Sequence, residues 1–384
     1  MTTIPDAPRT RTLLLEHYDV HRRDLPWREN QEPYRVWVSE IMLQQTRVET
    51  AIPYYHRWME RFPTVEALAD GDEEAVLKAW EGLGYYSRAR NLRRSALIVR
   101  ERLGGVLPQD SQGLRALPGI GEYSAGAIAS IAYGEVVPAM DGNVRRVLSR
   151  LFDLADPTDV SLRTRAGELV DPDRPGDWNQ ALMELGATVC TARSPQCMVC
   201  PLAGQCRALA EGTQRMRPTS KRRPLKRTVS YAVLVALNPA GELLMVRRPP
   251  DGLLGGLWEF PAVEIGVADA TPAGSALRVG NSLNKRCRAR LEDLGVQLST
   301  RTLRFKVLPE VRHTFTHLKA VYHPIWVVGA RSGGAKAIRS DRPVPDEHKG
   351  DHNSEHQWVL PDQVELLPLP VAQRRILDLA WATS

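Results

Sequence analysis

The pattern of the sequence changes at a basic segment, Gly212 to Ser230, and this change limits the folds that the chain can adopt. The segment holds seven Lys and Arg residues, no acidic residue and few apolar ones, which is typical of a linker. Before it, apolar residues recur at three- and four-residue spacing between Gly and Pro, which predicts helices. After it, short apolar runs predict strands. The 384 residues exceed what one core usually supports, so two domains are expected.

We predict an all-α domain over residues 9–208, a basic linker over 209–229 and an α/β or α+β domain over 230–384. The plainest helix opens after Pro33 and runs to Phe62, with a break near Pro53. No convincing strand precedes residue 229. Beyond it, the runs SYAVLVAL and ELLMVRRP flank the turn NPAG and predict a strand pair, VYHPIWVVGA predicts a further strand, and SLNKRCRARLEDLG and PVAQRRILDLAWA predict helices.

The charge balance and the apolar runs bear on partners and location. A net charge of +6 and a pI near 9.1 mildly favour a polyanionic partner. No run approaches the ~18 apolar residues of a membrane span, and the start MTTIPDAPRT lacks the apolar core of a signal peptide. We therefore expect a cytoplasmic protein, associated with the nucleoid if it is bacterial.

Four of the five cysteines follow the spacing C-x6-C-x2-C-x5-C, from Cys190 through Cys197 and Cys200 to Cys206. Such clustering predicts a metal site and not a disulfide framework. Four thiolates suit either a tetrahedral zinc ion or an iron–sulfur cluster. The spacing alone favours zinc slightly, because zinc sites are common. Cys287 stands alone and is predicted to be neither a ligand nor a nucleophile.

The stretch LPGIGEYSAGAIAS predicts a helix–hairpin–helix, with a helix ending at Leu117 and another starting at Glu122. Gly119 and Gly121 in the turn permit positive φ. They also leave backbone N–H groups uncovered at a helix start, where a DNA phosphate can approach. The alternative is an ordinary glycine-rich turn between helices.

Two carboxylates are candidates for acid–base chemistry. Asp141, in MDGNVRRVL, is placed as an N-cap, which is all that most such aspartates do, but beyond a DNA-binding hairpin it also lies beside a sugar. Glu40 lies mid-helix between Trp37 and Ile41, in a segment too apolar to be a wholly solvated face. A partly desolvated carboxylic acid has a raised pKa and can donate a proton. The alternative for Glu40 is a surface glutamate on an amphipathic helix.

The segments LPWR, VSEIMLQQTRV, GLGYYSRARNL, LPGIGEYSAGAIAS and MDGNVRRVLSR together resemble the helix–hairpin–helix DNA glycosylases and, among these, the adenine DNA glycosylase family. The resemblance covers nearly the whole chain. It implies a helical catalytic domain, a [4Fe-4S] cluster on the four cysteines and a carboxy-terminal Nudix-like domain. The implied activity is hydrolytic removal of adenine mispaired with 8-oxoguanine, or with guanine, in base excision repair. The implied partner is double-stranded DNA that contains such a mispair, bound by a monomer.

The resemblance also implies roles for single residues. Glu40 protonates the adenine, Asp141 stabilises the sugar cation, and Asn143 and Tyr123 support the pocket. Tyr123 stands where endonuclease III and other bifunctional members carry a nucleophilic lysine, which implies a monofunctional enzyme. The alternatives are an endonuclease III-like glycosylase/lyase that acts on oxidised pyrimidines and a non-catalytic iron–sulfur DNA-binding protein.

Further matched positions concern DNA binding. Gln45 and Tyr85 correspond to residues that wedge beside the lesion pair, with Leu43 nearby, while Arg23 and Arg28 correspond to residues that line the adenine pocket. For Tyr85 the alternative is a core aromatic side chain. For the two arginines it is exposed, solubilising charge.

In the second domain, GELLMVRRPPDGLLGGLWEFP resembles the opening of a Nudix fold. The stretch RARLEDLG keeps Glu292 and Asp293 of the magnesium-binding helix but has Ala289 for its first glutamate, which implies recognition without hydrolysis. The family reads 8-oxoguanine through a Phe-Ser-His loop, matched here by three residues: Phe315, Thr316 and His317. Threonine keeps the hydroxyl and adds a methyl group. The alternative is an ordinary turn at a strand edge.

Overall fold

The computed structural model describes residues 5–219, 225–266, 279–298, 304–328, 330–332 and 355–382. The chain divides into two compact units, the first made of Met1–Asp72 with Arg88–Arg223 and the second of Glu73–Ser87 with Pro224–Ser384. Residues 73–87 thus group with the second unit, although the sequence places them inside the predicted helical domain. Lys221, Arg222 and Arg223 of the predicted linker lie outside the described residues. Among the described helices, none has the length and apolar character needed to cross a membrane.

The amino-terminal half is helical, as predicted. Its helices are α1 (Ala7–His21), α2 (Pro33–Leu43), α3 (Val48–Arg61), α4 (Val65–Asp70), α5 (Glu73–Ala79), α6 (Ser87–Arg102), α7 (Ser111–Arg115), α8 (Glu122–Tyr133), α9 (Gly142–Leu151), α10 (Asp159–Leu169), α11 (Pro175–Thr188) and α12 (Arg207–Ala210). Single 3₁₀ turns lie at Pro26–Arg28, Cys197–Val199 and Ala203–Gln205.

The helix break predicted near Pro53 was wrong, because Pro53 lies inside α3 and the break lies between α2 and α3. The cause is a long-range contact that the local sequence does not show. Arg88 is buried on α6, and its guanidinium donates to carbonyl groups at the end of α2 that the N–H groups of a further helical turn would otherwise bind. Its Nη1 donates to the carbonyl oxygens of Ile41, Met42 and Gln44, at 2.8, 2.9 and 2.6 Å. Gln45 then turns the chain with a φ of 57°.

Helix α8 is the centre of the first unit and packs against α2, α7 and α11. Its residues from Ser124 to Ile131 are all buried, and most of them are small, so neighbouring segments approach its backbone closely. At Gly126 an added Cβ would lie 2.6 Å from the carbonyl oxygen of Pro138. The segment after α8 therefore runs tightly back along the helix and leads the chain to Asp141.

The second unit is built on a mixed sheet. Its strands are β1 (Arg227–Ala236), β2 (Leu243–Arg247), β3 (Trp258–Glu259), β4 (Ala262–Glu264), β5 (Val296–Leu298), β6 (Arg304–Val307), β7 (Val311–Thr314), β8 (Leu318–Val328), β9 (Ala330–Ser332) and β10 (His356–Val359). Its further helices are α13 (Asn281–Asp293), α14 (Pro361–Val364) and α15 (Val371–Trp381). The strand order is β4-β1-β8-β6 with β7 also on β8, and β1 is parallel to β8. A second sheet has the order β10-β2-β3, and β5 pairs with β9.

The predicted pairing of the first two strands was wrong, since β1 and β2 belong to different sheets, and an isolated bridge between Leu237 and Leu243 lies where the chain passes from one to the other. The reason is that β1 is central and buried on both faces. Val233 and Val235 face a core that includes residues of α15, while Ala232 and Leu234 face a core that includes residues of α13. In the larger sheet β1 lies inside the order and pairs with β4 and β8.

Candidate active site

One pocket in the first unit, of about 170 Å³, brings together seven of the residues singled out from the sequence. They are Arg23, Arg28, Glu40, Leu43, Tyr123, Asp141 and Asn143. They come from α2, α8, the start of α9 and the segment between α1 and α2. The pocket forms where these elements meet, so residues more than a hundred positions apart in sequence share one wall.

Glu40 is a buried acid and not a surface glutamate. Its side chain projects from α2 into the pocket, and the residue is only 6 % exposed. Tyr123 donates a hydrogen bond from its hydroxyl to Glu40 Oε2 at 2.6 Å. The pKa of Glu40 is raised to about 7, mainly because the carboxyl is buried. The negative charge of Asp141 also raises this pKa, whereas the hydrogen bond from Tyr123 and the positive charge of Arg28 lower it. The carboxyl is therefore largely protonated below neutral pH and can act as a proton donor.

Asp141 is held at both carboxyl oxygens. As N-cap of α9 it accepts a hydrogen bond at Oδ1 from the Val144 N–H at 2.7 Å, while Asn143 Nδ2 donates to Oδ2 at 2.8 Å. Burial raises its pKa, and these hydrogen bonds lower it. Asn143 is fixed in turn by Arg146, whose Nη2 donates to Asn143 Oδ1 at 2.8 Å. A carboxylate fixed at both oxygens presents its charge to the pocket in one orientation.

A glycine on α11 lets Asn143 take this position. At Gly186 an added Cβ would lie 2.6 Å from the Cβ of Asn143. Since contacts this short do not occur, a larger residue at this position has to push Asn143 away.

We expect Gly186→Ala to lower stability by about 1–3 kcal/mol, as overpacking does. We also expect it to slow by about tenfold the base excision that the sequence resemblance implies, because the support for Asp141 is misplaced. Thermal unfolding and single-turnover kinetics measure the two effects. The control is Gly167→Ala on α10, where an added Cβ meets nothing within 4 Å. Equal behaviour of the two variants would contradict the packing argument.

The two predicted arginines are bound to an acid that the sequence analysis missed. Glu184, on α11, accepts from Arg23 Nε at 2.6 Å and from Arg28 Nη2 at 3.0 Å. Gln180 and Met183 of the same helix also line the pocket, and Gln180 Oε1 accepts from Arg28 Nε at 3.0 Å. The arginines are thus fixed and not freely solvated. A signal was available, because Glu184 lies in an apolar helical run, NQALMELG, just as Glu40 lies in another.

Helix α8 begins at Glu122 as predicted, but the preceding helix α7 ends at Arg115 and not at Leu117, because the N–H groups of Ala116 and Leu117 bond only three residues back. Gly119 has a φ of 80°, and an added Cβ there would lie 2.6 Å from Asn91 Cβ, so the turn requires glycine. Gly121 is the N-cap of α8, no side chain caps that helix, and an added Cβ would meet nothing within 4 Å. The backbone N–H groups at the start of α8 are therefore left without a capping side chain. Gln45 is exposed and lies outside the residues that line the pocket.

In the second unit, Tyr85 contacts the turn that holds the residues predicted to recognise the lesion, Phe315, Thr316 and His317. Tyr85 has a φ of 48°, is 43 % exposed and is not a core aromatic residue. Its hydroxyl forms a hydrogen bond with the hydroxyl of Thr316. Between β7 and β8, the Phe315 N–H donates to the Leu318 carbonyl at 2.8 Å, which closes a turn that leaves Thr316 and His317 exposed. The ring of Phe315 packs edge-on against His313 at 4.5 Å.

The four clustered cysteines line one cavity in the first unit, with Val189, Pro195 and Leu209 among its walls. Buried Arg150 donates from Nη1 to Cys190 Sγ at 3.2 Å and to the Thr191 carbonyl at 2.8 Å. In the described ranges no group of three His, Cys, Asp or Glu side chains is placed to hold a single metal ion. Four thiols around a shared cavity, with a buried positive charge beside them, fit the ligand set and negative charge of a thiolate-bound cluster. Cys287 lies apart, buried in the core of the second unit.

Comparison with known proteins agrees with this arrangement. Residues 38–172 match the model of the HhH-GPD superfamily of base excision DNA repair proteins. Residues 190–206 match the iron-sulfur binding domain of endonuclease III, and residues 232–379 match the NUDIX domain. The cysteine loop is thus an iron–sulfur binding domain, and its spacing fits a [4Fe-4S] cluster. Among solved structures, a thermostable thymine-DNA glycosylase superposes with a TM-score of 0.50 at 25 % identity, over 54 % of this chain and 100 % of that one.

Curated relatives share most of the chain. The adenine DNA glycosylase of Rattus norvegicus is 40 % identical, with 83 % of this chain and 70 % of that protein aligned. That of Homo sapiens is 39 % identical, covering 83 % and 67 %. That of Buchnera aphidicola subsp. Baizongia pistaciae is 31 % identical, covering 83 % and 85 %. With a helix–hairpin–helix domain, an iron–sulfur loop and a Nudix-like domain in this order, the chain belongs to the adenine DNA glycosylase family.

Proposed function

We propose that this chain is a monofunctional DNA glycosylase that removes adenine mispaired with 8-oxoguanine, or with guanine, from duplex DNA. The observation that carries the proposal is the pair of carboxyl groups in one pocket, Glu40 protonated by burial and Asp141 fixed by its cap. Cleavage of an N-glycosidic bond needs a proton for the leaving base and negative charge beside the oxocarbenium-like sugar. The two groups supply these two needs.

In the proposed reaction the adenine leaves the helix stack and enters the pocket. Glu40 donates its proton to a ring nitrogen of the base as the bond to the sugar breaks. Asp141 stabilises the positive charge that develops on the sugar, and water completes the hydrolysis to an abasic site. Tyr123 and Asn143 orient the two carboxyl groups through the hydrogen bonds described above.

Release of the base without strand cleavage follows from the residue at position 123. Tyr123 is buried against Glu40, and its pKa is raised by that burial, so its hydroxyl stays neutral and donates to the acid. No lysine occurs among the pocket-lining residues in the described part of the chain. A Schiff-base lyase needs an amine at the sugar. This argues against the endonuclease III-like alternative.

Several features support duplex DNA as the partner. The open turn at Gly119 and Gly121 offers backbone N–H groups at a helix start to a phosphate. Gln45, exposed after α2, and Tyr85 are proposed to fill the space left by the flipped base, with Leu43. In the cysteine loop, Cys190, Cys197, Cys200 and Cys206 would hold a [4Fe-4S] cluster, which orders the backbone around Arg193 and Arg207 for phosphate contact.

The second domain is proposed to read 8-oxoguanine without hydrolysing nucleotides. Glu292 of α13 accepts a hydrogen bond from Arg288 of the same helix at 2.8 Å, and the first glutamate of a Nudix magnesium site is Ala289. The exposed turn with Phe315, Thr316 and His317 supplies a hydroxyl and an imidazole to the lesion base. The Tyr85 hydroxyl, bonded to Thr316, fixes the orientation of that hydroxyl in advance.

We expect Thr316→Ala to reduce the preference for 8-oxoguanine:A over G:A about tenfold, because one hydrogen bond to the lesion is lost. Single-turnover excision rates on the two duplexes measure this ratio. The control is Thr314→Ala, which removes an exposed hydroxyl from β7. An unchanged ratio in Thr316→Ala would show that this hydroxyl takes no part in lesion reading.

The proposed activity is tested with two duplexes that differ only at the lesion pair, 8-oxoguanine:A and C:G, each with and without alkali. We expect adenine release only from the first, with strand breaks appearing only after alkali. Breaks without alkali would favour a lyase. No release by protein shown to contain iron would leave the chain a DNA-binding protein.

A further inference from the structure

The pocket that holds the carboxyl of Glu40 also contains positively charged groups. Two guanidinium groups, of Arg23 and Arg28, line the same pocket, and each carries a fixed positive charge. A positive charge near a carboxyl stabilises its ionised form, and Arg28 does act on Glu40 in this direction. A proton donor at neutral pH is therefore favoured by a group in the pocket wall that opposes the positive charge of Arg28.

Glu184 is placed to oppose the two guanidinium charges. Its residue is 7 % exposed, and its two carboxyl oxygens are divided between the arginines: Oε1 faces Arg23 Nε at 2.6 Å, and Oε2 faces both Arg23 Nη2 at 3.1 Å and Arg28 Nη2 at 3.0 Å. These hydrogen bonds lower its pKa despite burial, so it remains ionised. The group of three thus has a net charge of +1 and not +2.

The same contacts also fix where Arg28 lies. Besides Glu184, its guanidinium donates to Gln180 Oε1 and to the Arg23 carbonyl, both at 3.0 Å, and it stacks over the ring of Tyr18 at 5.5 Å. These contacts fix the guanidinium of Arg28 in the pocket wall beside Glu184.

Glu40 meets other charged and titratable groups from each side of the pocket. Tyr123 of α8 donates to it, Asp141 before α9 raises its pKa, and Arg28 lowers it. Arg146 of α9 hydrogen-bonds Asn143 and lowers the pKa of Asp141 through its positive charge. Among these groups, Arg28 is the one that forms an ion pair with a residue of α11. The balance at Glu40 thus depends on a residue that does not touch it.

We propose that Glu184 is a positioning residue that fixes both guanidinium groups in the pocket wall and offsets their charge, so that Glu40 keeps its proton at neutral pH. The inference rests on the proposed role of Glu40 as general acid. It assigns to α11 a part in proton donation in addition to its part in forming the pocket.

Two variants shift the charge in opposite directions. Glu184→Gln keeps the shape and raises the net charge of the group from +1 to +2, so the pH at which excision falls to half should move down by about one unit. Arg23→Gln, at the more exposed arginine, reduces the net charge to zero, so the same midpoint should move up by about half a unit. At pH 7.5 the first change reduces excision about tenfold. A merely structural role would lower the rate equally at every pH.

The experiment is a single-turnover pH profile of adenine release from the 8-oxoguanine:A duplex, using the full chain with its iron content verified. The control is Asp19→Asn, which removes from α1 a carboxylate that pairs at 2.7 Å with Arg174, the N-cap of α11, outside the pocket lining. Its midpoint should equal that of the wild type.

The outcomes separate the two claims. A wild-type profile without a fall near pH 7 would overturn the acid role of Glu40 itself. A wild-type fall that neither Glu184→Gln nor Arg23→Gln displaces would overturn the role of Glu184 alone. If Glu184→Gln does not fold, two other variants test the role of Glu184. Arg23→Gln has to raise the pH midpoint of excision. Glu184→Asp, which conserves the charge, has to leave that midpoint within a few tenths of a unit of the wild type.

Discussion

Glu40→Gln is expected to abolish adenine release while the protein still binds the mispaired duplex. Glutamine has nearly the same shape, and its Oε1 can still accept the hydrogen bond from Tyr123, but its amide N–H is too weakly acidic to protonate the base. Loss of general acid catalysis costs about 10²- to 10⁴-fold in rate. Single-turnover excision and a binding titration on the 8-oxoguanine:A duplex measure the two properties separately.

The same substitution should change the pH dependence of stability. The pKa of Glu40 is about 7 in the folded protein and about 4.3 in an unfolded chain. Below the lower pKa the carboxyl is protonated in both the folded and the unfolded state, so it does not change the free energy of unfolding. As pH rises to about 7, only the unfolded state ionises, so wild-type stability falls by about 3–4 kcal/mol relative to acidic pH. Glutamine escapes this loss, so the variant should unfold at a higher temperature than the wild type at pH 8.

The control for Glu40→Gln is Glu60→Gln, which removes an exposed carboxylate from α3. It should excise and unfold as the wild type does. A Glu40→Gln protein that fails to bind DNA, yet turns over normally in its bound fraction, would assign Glu40 to binding and not to proton donation.

The sequence predicts best those parts of the site that depend on local signals. The start of α8 at Glu122 and the cap of α9 by Asp141 follow from glycines and a capping residue within a few positions. The burial of Glu40 follows from its apolar neighbours on α2. Each of these features depends on residues that are adjacent to it in the sequence, which is why the sequence predicts the main residues of the pocket.

The features that the sequence does not predict depend on partners far along the chain. The end of α2 is fixed by Arg88, which lies 44 to 47 residues away from the carbonyls that it binds. Glu184 lies 161 and 156 residues from Arg23 and Arg28. The sheet that β1 joins is decided by its burial on both faces, for which local alternation gives no sign. Such contacts appear only after the helices and strands have packed.

The second large effect is expected at Asp141, where Asp141→Asn removes the charge but keeps the helix cap. Asparagine caps helices about as well as aspartate, so Oδ1 can still accept from Val144 and the fold should persist. The sugar cation then loses the negative charge beside it. Removing one such preorganised electrostatic contact costs about 10²- to 10³-fold in rate.

Asp141→Asn should also move the pH profile, because the negative charge of Asp141 raises the pKa of Glu40. Without it the midpoint of excision falls to lower pH, so the variant loses most at neutral pH and recovers part of its rate in acid. The matched control is Asp110→Asn, since Asp110 caps α7 through the Gly113 N–H at 2.7 Å and lies outside the pocket lining. Should both variants excise adenine at the wild-type rate, Asp141 would be a helix cap and nothing more, and the two-carboxylate mechanism would lose the group that stabilises its transition state.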